Sequence, residues 1–160
     1  MENEESLRRD LIELLEGKGA HADFEVVFSG VPAEARGRKV PGLPHTLWQL
    51  LEHLRIAQRD ILEFSRNSAH VSPKWPEGYW PESEMPPKES GWDRSLAGFK
   101  SDLEAMRRLV ADPSTQLLAR IPHGDGQTIF REAVLVADHN AYHLGQAVSL
   151  RQALGNWESN

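Results

Sequence analysis

The sequence contains no cysteine among its 160 residues. This absence excludes disulfides, thiolate nucleophiles and zinc sites built from cysteine. The sequence also lacks any apolar run near the roughly 18 residues that a membrane-spanning helix needs. Its first residues, Met1 to Glu5, are polar and acidic, whereas a secretory signal starts basic and continues apolar. We therefore expect a cytoplasmic protein without a membrane partner.

Positive charge is also scarce. Lysine and arginine number 18 against 24 aspartates and glutamates, which gives a net charge of −6. Nucleic acid phosphates are bound by clustered positive charge, and the densest basic stretch, residues 36–39, is short. We interpret that stretch as a solvated loop and expect no nucleic acid partner. The length and the 39% of hydrophobic residues suit one globular domain, which we expect to span residues 1–160.

Four amphipathic segments, separated by loops rich in proline and glycine, predict four helices. The first segment, residues 6–28, carries a helical apolar stripe, although Gly17 and Gly19 mark either a kink or a place where another helix comes close. The second helix starts after Thr46, because Thr46 and Gln49 have the spacing of a capping box.

The third and fourth helices follow from the same periodicity. Residues 90–110 repeat apolar side chains every three or four positions, and Asp112 before Pro113 ends that helix. Residues 128–154 form the last apolar stripe, and Gly155 is placed to stop it. With few strand signals, the pattern predicts an all-α protein, a four-helix bundle.

A long connection, residues 67–89, joins the second and third helices. It contains five prolines together with Trp75, Tyr79 and Trp80. A structureless loop of this length is unusual in a compact domain, and a disordered linker rarely carries so many aromatic residues. We interpret the connection as an ordered loop lying over the bundle, either a lid or part of an interface.

Three of the seven histidines fall on predicted inward faces of long helices. His139 and His143 are one helical turn apart, so they either chelate one metal ion or form a satisfied polar pair on the helix surface. His53 lies on the apolar face of the second helix, where a buried ring needs a partner. The partner is either a group within the core that forms a hydrogen bond with the ring, or a metal ion that His53 shares with the other two rings. Three neutral imidazoles suit Zn, Ni or Fe, or Cu, better than Mg or Ca.

Three protein ligands would leave a coordination position open for water or substrate, as in catalytic zinc sites. His21, on the stripe of the first segment, is a fourth ligand, a residue that orients a ligand, or a core histidine. Asp138 and Glu52 precede expected ligands and point about 100° away around the helix, so we interpret them as surface or interface acids. No role is assigned to three histidines at a helix start or in loops: His45, His70 and His123.

Two of the predicted helices, the last and the second, carry a recognisable pattern. Residues 138–146 read DHNAYHLGQ, residues 150–155 read LRQALG, and residues 46–54 read TLWQLLEHL. They resemble the last-helix and second-helix signatures of the DinB-like (DinB/YfiT) metalloenzyme family. The resemblance implies a four-helix bundle, often paired into a homodimer. It also implies a metal triad, whose members here are His53, His139 and His143.

The resemblance also implies a class of activity. Some members of the family are transferases or isomerases that use a low-molecular-weight thiol, such as bacillithiol or mycothiol, whose sulfur would occupy the open metal position. We therefore expect a divalent-metal-dependent enzyme acting on a small molecule, either a thiol-dependent S-transferase or a hydrolase.

Two other hypotheses stay open at this point. One is a non-catalytic metal- or ligand-binding bundle, for example a stress-related sequestering protein. The other is a structural or interaction module whose histidines are core polar groups. An open coordination position favours the enzyme over the binding protein, and metal content separates the structural module from both.

Overall fold

The computed structural model describes residues 2–88 and 90–157, and within them the chain is helical. Five α-helices are present in this part: α1 (Glu2–Glu16), α2 (Phe24–Phe28), α3 (Leu47–Arg66), α4 (Gly91–Ala111) and α5 (Ile129–Ala153). Two short 3₁₀ turns, Ala33–Ala35 and Glu77–Tyr79, lie in the connections, and the described residues form no strand. The predicted all-α class is confirmed. None of these helices combines the length and apolarity needed to cross a membrane.

The prediction of one helix over residues 6–28 is wrong. α1 stops before Gly17, which turns the chain with a φ of 67°. Helix resumes only at Phe24, where the Asp23 side chain caps α2 by accepting a hydrogen bond from the Val26 N–H. The apolar pattern continued across the break because α2 buries its own apolar side chains, so periodicity alone did not reveal the interruption.

The predicted start of the second long helix and the predicted ends of the third and fourth are confirmed. At the start of α3 the Gln49 N–H donates to the Thr46 hydroxyl at 3.2 Å, and the Thr46 N–H donates to the Gln49 side chain at 3.0 Å. α4 ends at Ala111 with Asp112 as its C-cap, and α5 is followed by Gly155 with a φ of 70°. These signals were readable because each satisfies backbone groups at a helix end through neighbours in the sequence.

α3 and α4 run parallel, although they are consecutive long helices. Ser95 donates a hydrogen bond to Glu52, and Arg59 donates one to Asp102 at 3.3 Å, so both partners advance together. The connection between the helices must therefore return along the whole of α3, whose 20 residues span about 30 Å. This requirement accounts for the length of the segment 67–89, of which the last residue lies outside the described part.

α5 runs antiparallel to α3, because His53 meets His143 whereas the later Gln58 meets the earlier Asn140. α3 packs against α4 and α5, and α1 packs against the same two helices. One apolar cluster surrounds α2 and the first half of α3, and a second surrounds α1 and the first half of α5. Between the two clusters lies a layer of four buried polar side chains: His53, Gln58, Asn140 and His143. The candidate site lies where the apolar core is interrupted.

Thr46→Val tests how firmly the start of α3 holds the long connection. The buried Thr46 hydroxyl caps the helix and also donates to the backbone carbonyl of Glu84 at 2.7 Å. We expect the free energy of unfolding to fall by about 1 to 2 kcal/mol, because a cap and a buried hydrogen bond are both lost. Urea unfolding followed by circular dichroism measures this change.

Thr115→Val is the matched control for that substitution. Within the described residues the Thr115 hydroxyl takes part in no hydrogen bond, so this variant should unfold within a few tenths of a kcal/mol of the original protein. Equal midpoints for the two variants would show that the Thr46 hydroxyl contributes nothing.

Candidate metal centre

Three histidine rings converge in the polar layer between α3 and α5. The Nε2 atoms of His53 and His143 lie 3.1 Å apart, and those of His53 and His139 lie 3.0 Å apart. One nitrogen from each ring lies within 4.8 Å of the other two. The structure thus brings together the three histidines that the sequence predicted to share a site.

The outer nitrogens of two rings fix where their protons lie. His53 Nδ1 is 2.8 Å from the backbone carbonyl of Tyr79, and His143 Nδ1 is 2.7 Å from the side-chain oxygen of Gln146. Both oxygens only accept, so each Nδ1 carries the single proton of its neutral ring. The two Nε2 lone pairs therefore face each other with no hydrogen between them. A cation at their meeting point would remove this repulsion, so the donor set fits a metal ion.

The third ring lies next to a relay of side-chain amides. Gln58 donates to the backbone carbonyl of Phe99 at 2.8 Å and accepts from the Asn140 amide nitrogen at 2.9 Å. Because the Phe99 carbonyl only accepts, both amides are fixed in orientation, and the Asn140 oxygen faces away from Gln58. Among the described atoms neither that oxygen nor His139 Nδ1 has a hydrogen-bond partner, although both are buried. Asn140 follows His139 directly in the sequence, and its side chain raises the pKa of that ring.

The rings are held in their neutral form. Burial, with smaller contributions from the nearby His143 and His45, lowers the pKa of His53 to about 4, although the contact with the Tyr79 carbonyl acts in the opposite direction. Burial, together with the other two rings, lowers the pKa of His139 to about 3. Burial also lowers the pKa of His143. Neutral imidazoles are the form that binds a metal, so near neutral pH no proton has to leave these rings first.

An aromatic side chain from the long connection covers the trio. The Trp80 ring stacks on His53 with centroids 3.8 Å apart and an angle of 1° between the planes. The opposite face of Trp80 stacks on His45 at 3.9 Å. The long connection therefore contributes a wall to the site, which favours the lid among the two interpretations of its sequence.

Asp60 ties this connection to α3. One carboxylate oxygen accepts a hydrogen bond from the Tyr79 hydroxyl at 2.6 Å, and the other lies 2.7 Å from His70 Nε2. Burial, followed by the bond to Asp60, raises the pKa of Tyr79 to about 12, so the phenol keeps its proton. The carboxylate thus holds two points of the connection and fixes the Tyr79 carbonyl against His53.

A cavity of about 550 Å³ opens beside the three rings. All three histidines contribute to its lining, and so do four aromatic side chains: Trp75, Tyr79, Trp80 and Tyr142. A second cavity, of about 310 Å³, lies on the other side of Tyr142 and is lined by His45 and Gln146 among others. Volumes of this order hold small molecules.

His21 is placed elsewhere, and the structure does not support the roles of fourth ligand, orienting residue or core histidine. Its side chain is exposed and bonds the carbonyl of its neighbour Ala22 at 3.0 Å. The helical stripe that put it on an inward face ends at Gly17, so the periodicity no longer applies there. His123 lies in a turn and contacts the carbonyl of Phe64.

Several residues of the site escaped the sequence analysis. His45 and Gln146 were given no role, and Tyr79 and Trp80 were placed only in an ordered loop over the bundle, yet each contacts a ring of the trio or stacks on Trp80. Gln146 was detectable, because it follows His143 by three positions on one helix and so lies on the same face. The others belong to connections whose path depends on the packing of α3 and α4, which the sequence did not predict.

The lowered histidine pKa values predict an acid-sensitive fold in the metal-free protein. An unfolded His53 has a pKa near 6.5, so the unfolded chain binds more protons than the folded one as the pH falls below that value. The contribution of the neutral His53 ring to the free energy of unfolding is therefore fully present above about pH 6.5, and it is lost as the pH falls towards 4. Between about pH 6.5 and 5 we expect His53 alone to account for a loss of about 2 kcal/mol.

Urea unfolding of chelator-treated protein at several pH values measures this loss. His53→Gln should make the pH dependence shallower, whereas His123→Gln, in an exposed turn, should leave it unchanged. An identical slope in the His53 variant would show that the ring is not held neutral by the fold.

Comparison with known proteins agrees with the geometry. A family model described as the DinB superfamily matches residues 17–147. No curated protein and no solved structure gave a significant match. The matched range includes all three converging histidines and most of the chain, and it confirms the family that the two helix segments resembled. The chain belongs to the DinB superfamily.

Proposed function

We propose that His53, His139 and His143 hold one divalent transition-metal ion, and that the protein is a metal-dependent enzyme acting on a small molecule. The observation that carries this proposal is the meeting of ring nitrogens whose lone pairs face one another without a proton between them. A core histidine pair would place a donor opposite an acceptor, whereas this arrangement needs a positive charge at its centre.

The donor set favours particular metals. Three neutral imidazole nitrogens suit Zn, Ni or Fe and are poor ligands for Mg or Ca, which prefer oxygen. The bonds of His53 Nδ1 to the Tyr79 carbonyl and of His143 Nδ1 to Gln146 are the outer contacts that orient metal-binding histidines in general.

The surroundings favour catalysis over storage. Three protein ligands leave a position open, and the three histidines also line the cavity of about 550 Å³, so a small molecule has access to that position. A bound ion would supply Lewis acidity there, polarising a substrate oxygen or favouring the thiolate form of a sulfur. Transfer to or from a thiol and hydrolysis are the two reactions that fit this chemistry.

The protein's own residues would prepare the site for such a reaction. Trp80 covers one face of His53 and limits the access of water from that side. Asp60 holds Tyr79, and the Tyr79 carbonyl keeps the proton of His53 on Nδ1, away from the metal position. In this scheme the contacts of His53 and His143 set the orientations of two rings before any ligand arrives.

Other expectations remain predictions. They are the arrangement of the helices as the four-helix bundle of the family, the formation of a homodimer, the cytoplasmic location and the use of a low-molecular-weight thiol. The parallel course of α3 and α4 with one long crossover is compatible with a known class of four-helix bundle.

Metal content tests the proposal directly. Elemental analysis of untagged protein should find about one Zn, Ni or Fe ion per chain. His53→Ala and His143→Ala should lose that ion, because each removes one of three ligands, while circular dichroism should still show a helical fold.

His123→Ala is the control, since this exposed histidine lies outside the trio. Unchanged stoichiometry in the His53 variant would refute the triad. Failure to bind any divalent metal after reconstitution would favour the structural reading. One ion per chain without turnover of thiol or hydrolytic substrates would favour the binding protein.

Gln146→Leu tests whether the outer hydrogen bond of His143 matters. The substitution removes the acceptor 2.7 Å from His143 Nδ1 while keeping a side chain of similar size. We expect metal affinity to fall by about 10- to 100-fold at unchanged stoichiometry, because the ring loses its fixed orientation. Competition with a chromophoric chelator measures the affinity.

Gln152→Leu, an exposed position on the same helix, provides the comparison and should bind metal normally. Equal affinities in the two variants would mean that Gln146 does not orient the ligand.

A further inference from the structure

The cavity beside the trio has an unusual charge for a site that is expected to take a thiol cofactor. Its lining includes two carboxylates, Asp60 and Asp138, and no lysine or arginine among the described residues. An anionic molecule entering it would lose hydration and meet negative side chains without a cationic partner apart from the ion itself. The chemical class of the substrate in the proposed function can be narrowed from this lining.

The two carboxylates differ in their hydrogen-bond partners. Asp60 is already engaged by the Tyr79 hydroxyl and by His70. Asp138 is exposed, and its side chain makes no hydrogen bond or ion pair with any residue that the structure describes. Asp138 is therefore the negative group of the lining that remains available to a ligand.

Two exposed aromatic rings accompany Asp138 in the cavity wall. Tyr142 follows it by one helical turn on α5, so the phenol ring and the carboxylate are neighbours on the helix surface. Trp75, in the long connection, lines the same cavity. Trp75 is 70% exposed and Tyr142 is 64% exposed, which is a large apolar area for water to cover. Aromatic ring faces attract cations, and a carboxylate beside them adds to that attraction.

Part of the cavity lining is apolar. Ala57 and Ile61 of α3 and Leu135 of α5 contribute to the lining along with the three histidines. A ligand that spans the cavity would place an apolar portion against these side chains. The group that reaches the histidines would have to be neutral or negative, because a divalent ion there repels a cation. The cationic end of such a ligand therefore belongs beside Asp138, the exposed carboxylate of the lining.

We propose that the cavity selects a small organic cation, an amine or ammonium compound with an apolar or aromatic portion, whose charged end binds between Asp138, Tyr142 and Trp75. This inference rests on the proposed function, since it names the substrate class of the same site. It places the positive charge of the substrate beside Asp138 and its reacting group at the histidines. It also disfavours, as the occupant of this cavity, a thiol that carries several carboxylates.

Three matched probes test the charge preference: 2-phenylethylamine, 2-phenylethanol and 3-phenylpropionate. Binding to the protein as purified is followed by NMR on isotope-labelled protein, in which the indole signals of Trp75 and Trp80 report from the cavity wall. We expect the amine to bind about tenfold more tightly than the alcohol, and the carboxylate to bind more weakly than both.

Asp138→Asn should reduce the affinity for the amine to that for the alcohol, without changing the affinity for the alcohol. Asp125→Asn, an exposed aspartate in a distant turn, is the matched control and should preserve the preference. Trp75→Leu should weaken amine binding more than alcohol binding, because it removes a ring face and keeps an apolar side chain.

Three results would overturn the proposal: carboxylate binding as tight as amine binding, an amine preference that survives in Asp138→Asn, or no response of either indole to any probe. The metal proposal is tested independently of the charge preference of the cavity. Asp138→Asn should retain its metal content, and His143→Ala, which is expected to lose the metal, should retain the amine preference. Metal-free protein that still prefers the amine would support the cavity assignment even if the metal assignment were wrong.

Discussion

The parallel packing of α3 and α4 is the constraint on which the rest of the structure depends. Two consecutive helices that point the same way need a connection that travels back along the first of them, and here that connection passes His53 in the first half of α3. Trp80 and the Tyr79 carbonyl reach the histidine because of this return path. The wall of the candidate site is thus a result of how the helices are connected.

The polar layer that the connection covers would be costly in an ordinary core. Buried imidazoles and amides must find partners, and in this layer they do so through backbone carbonyls, through each other and, in our proposal, through a metal ion. Gln58 and Asn140 extend the layer from α5 to the Phe99 carbonyl of α4. Three helices therefore share one hydrogen-bonded network, and the apolar clusters on either side hold it in register.

The sequence predicted what depends on neighbouring residues and on helical periodicity. The Thr46 cap, the Asp112 and Gly155 ends and the three histidines on inward faces all belong to this group. It did not predict what depends on packing between distant segments. The approach of His45 to Trp80 depends on the path of the connection, and the break after α1 was hidden because α2 restores the apolar pattern. Asp138 was correctly interpreted as exposed, but its place in the cavity lining required the structure.

The long connection contains far more chain than its route demands. Some 30 Å of return path needs only about nine extended residues, fewer than half of those between Arg66 and Gly91. This long connection contributes Trp75, Tyr79 and Trp80 to the aromatic wall of the cavity, whereas the three histidines belong to α3 and α5. Substitutions of Trp75 can therefore reshape the cavity wall while the three histidines keep their places on α3 and α5. In evolutionary terms, such a division lets the loop that lines a cavity be exchanged while the side chains on the helices are kept.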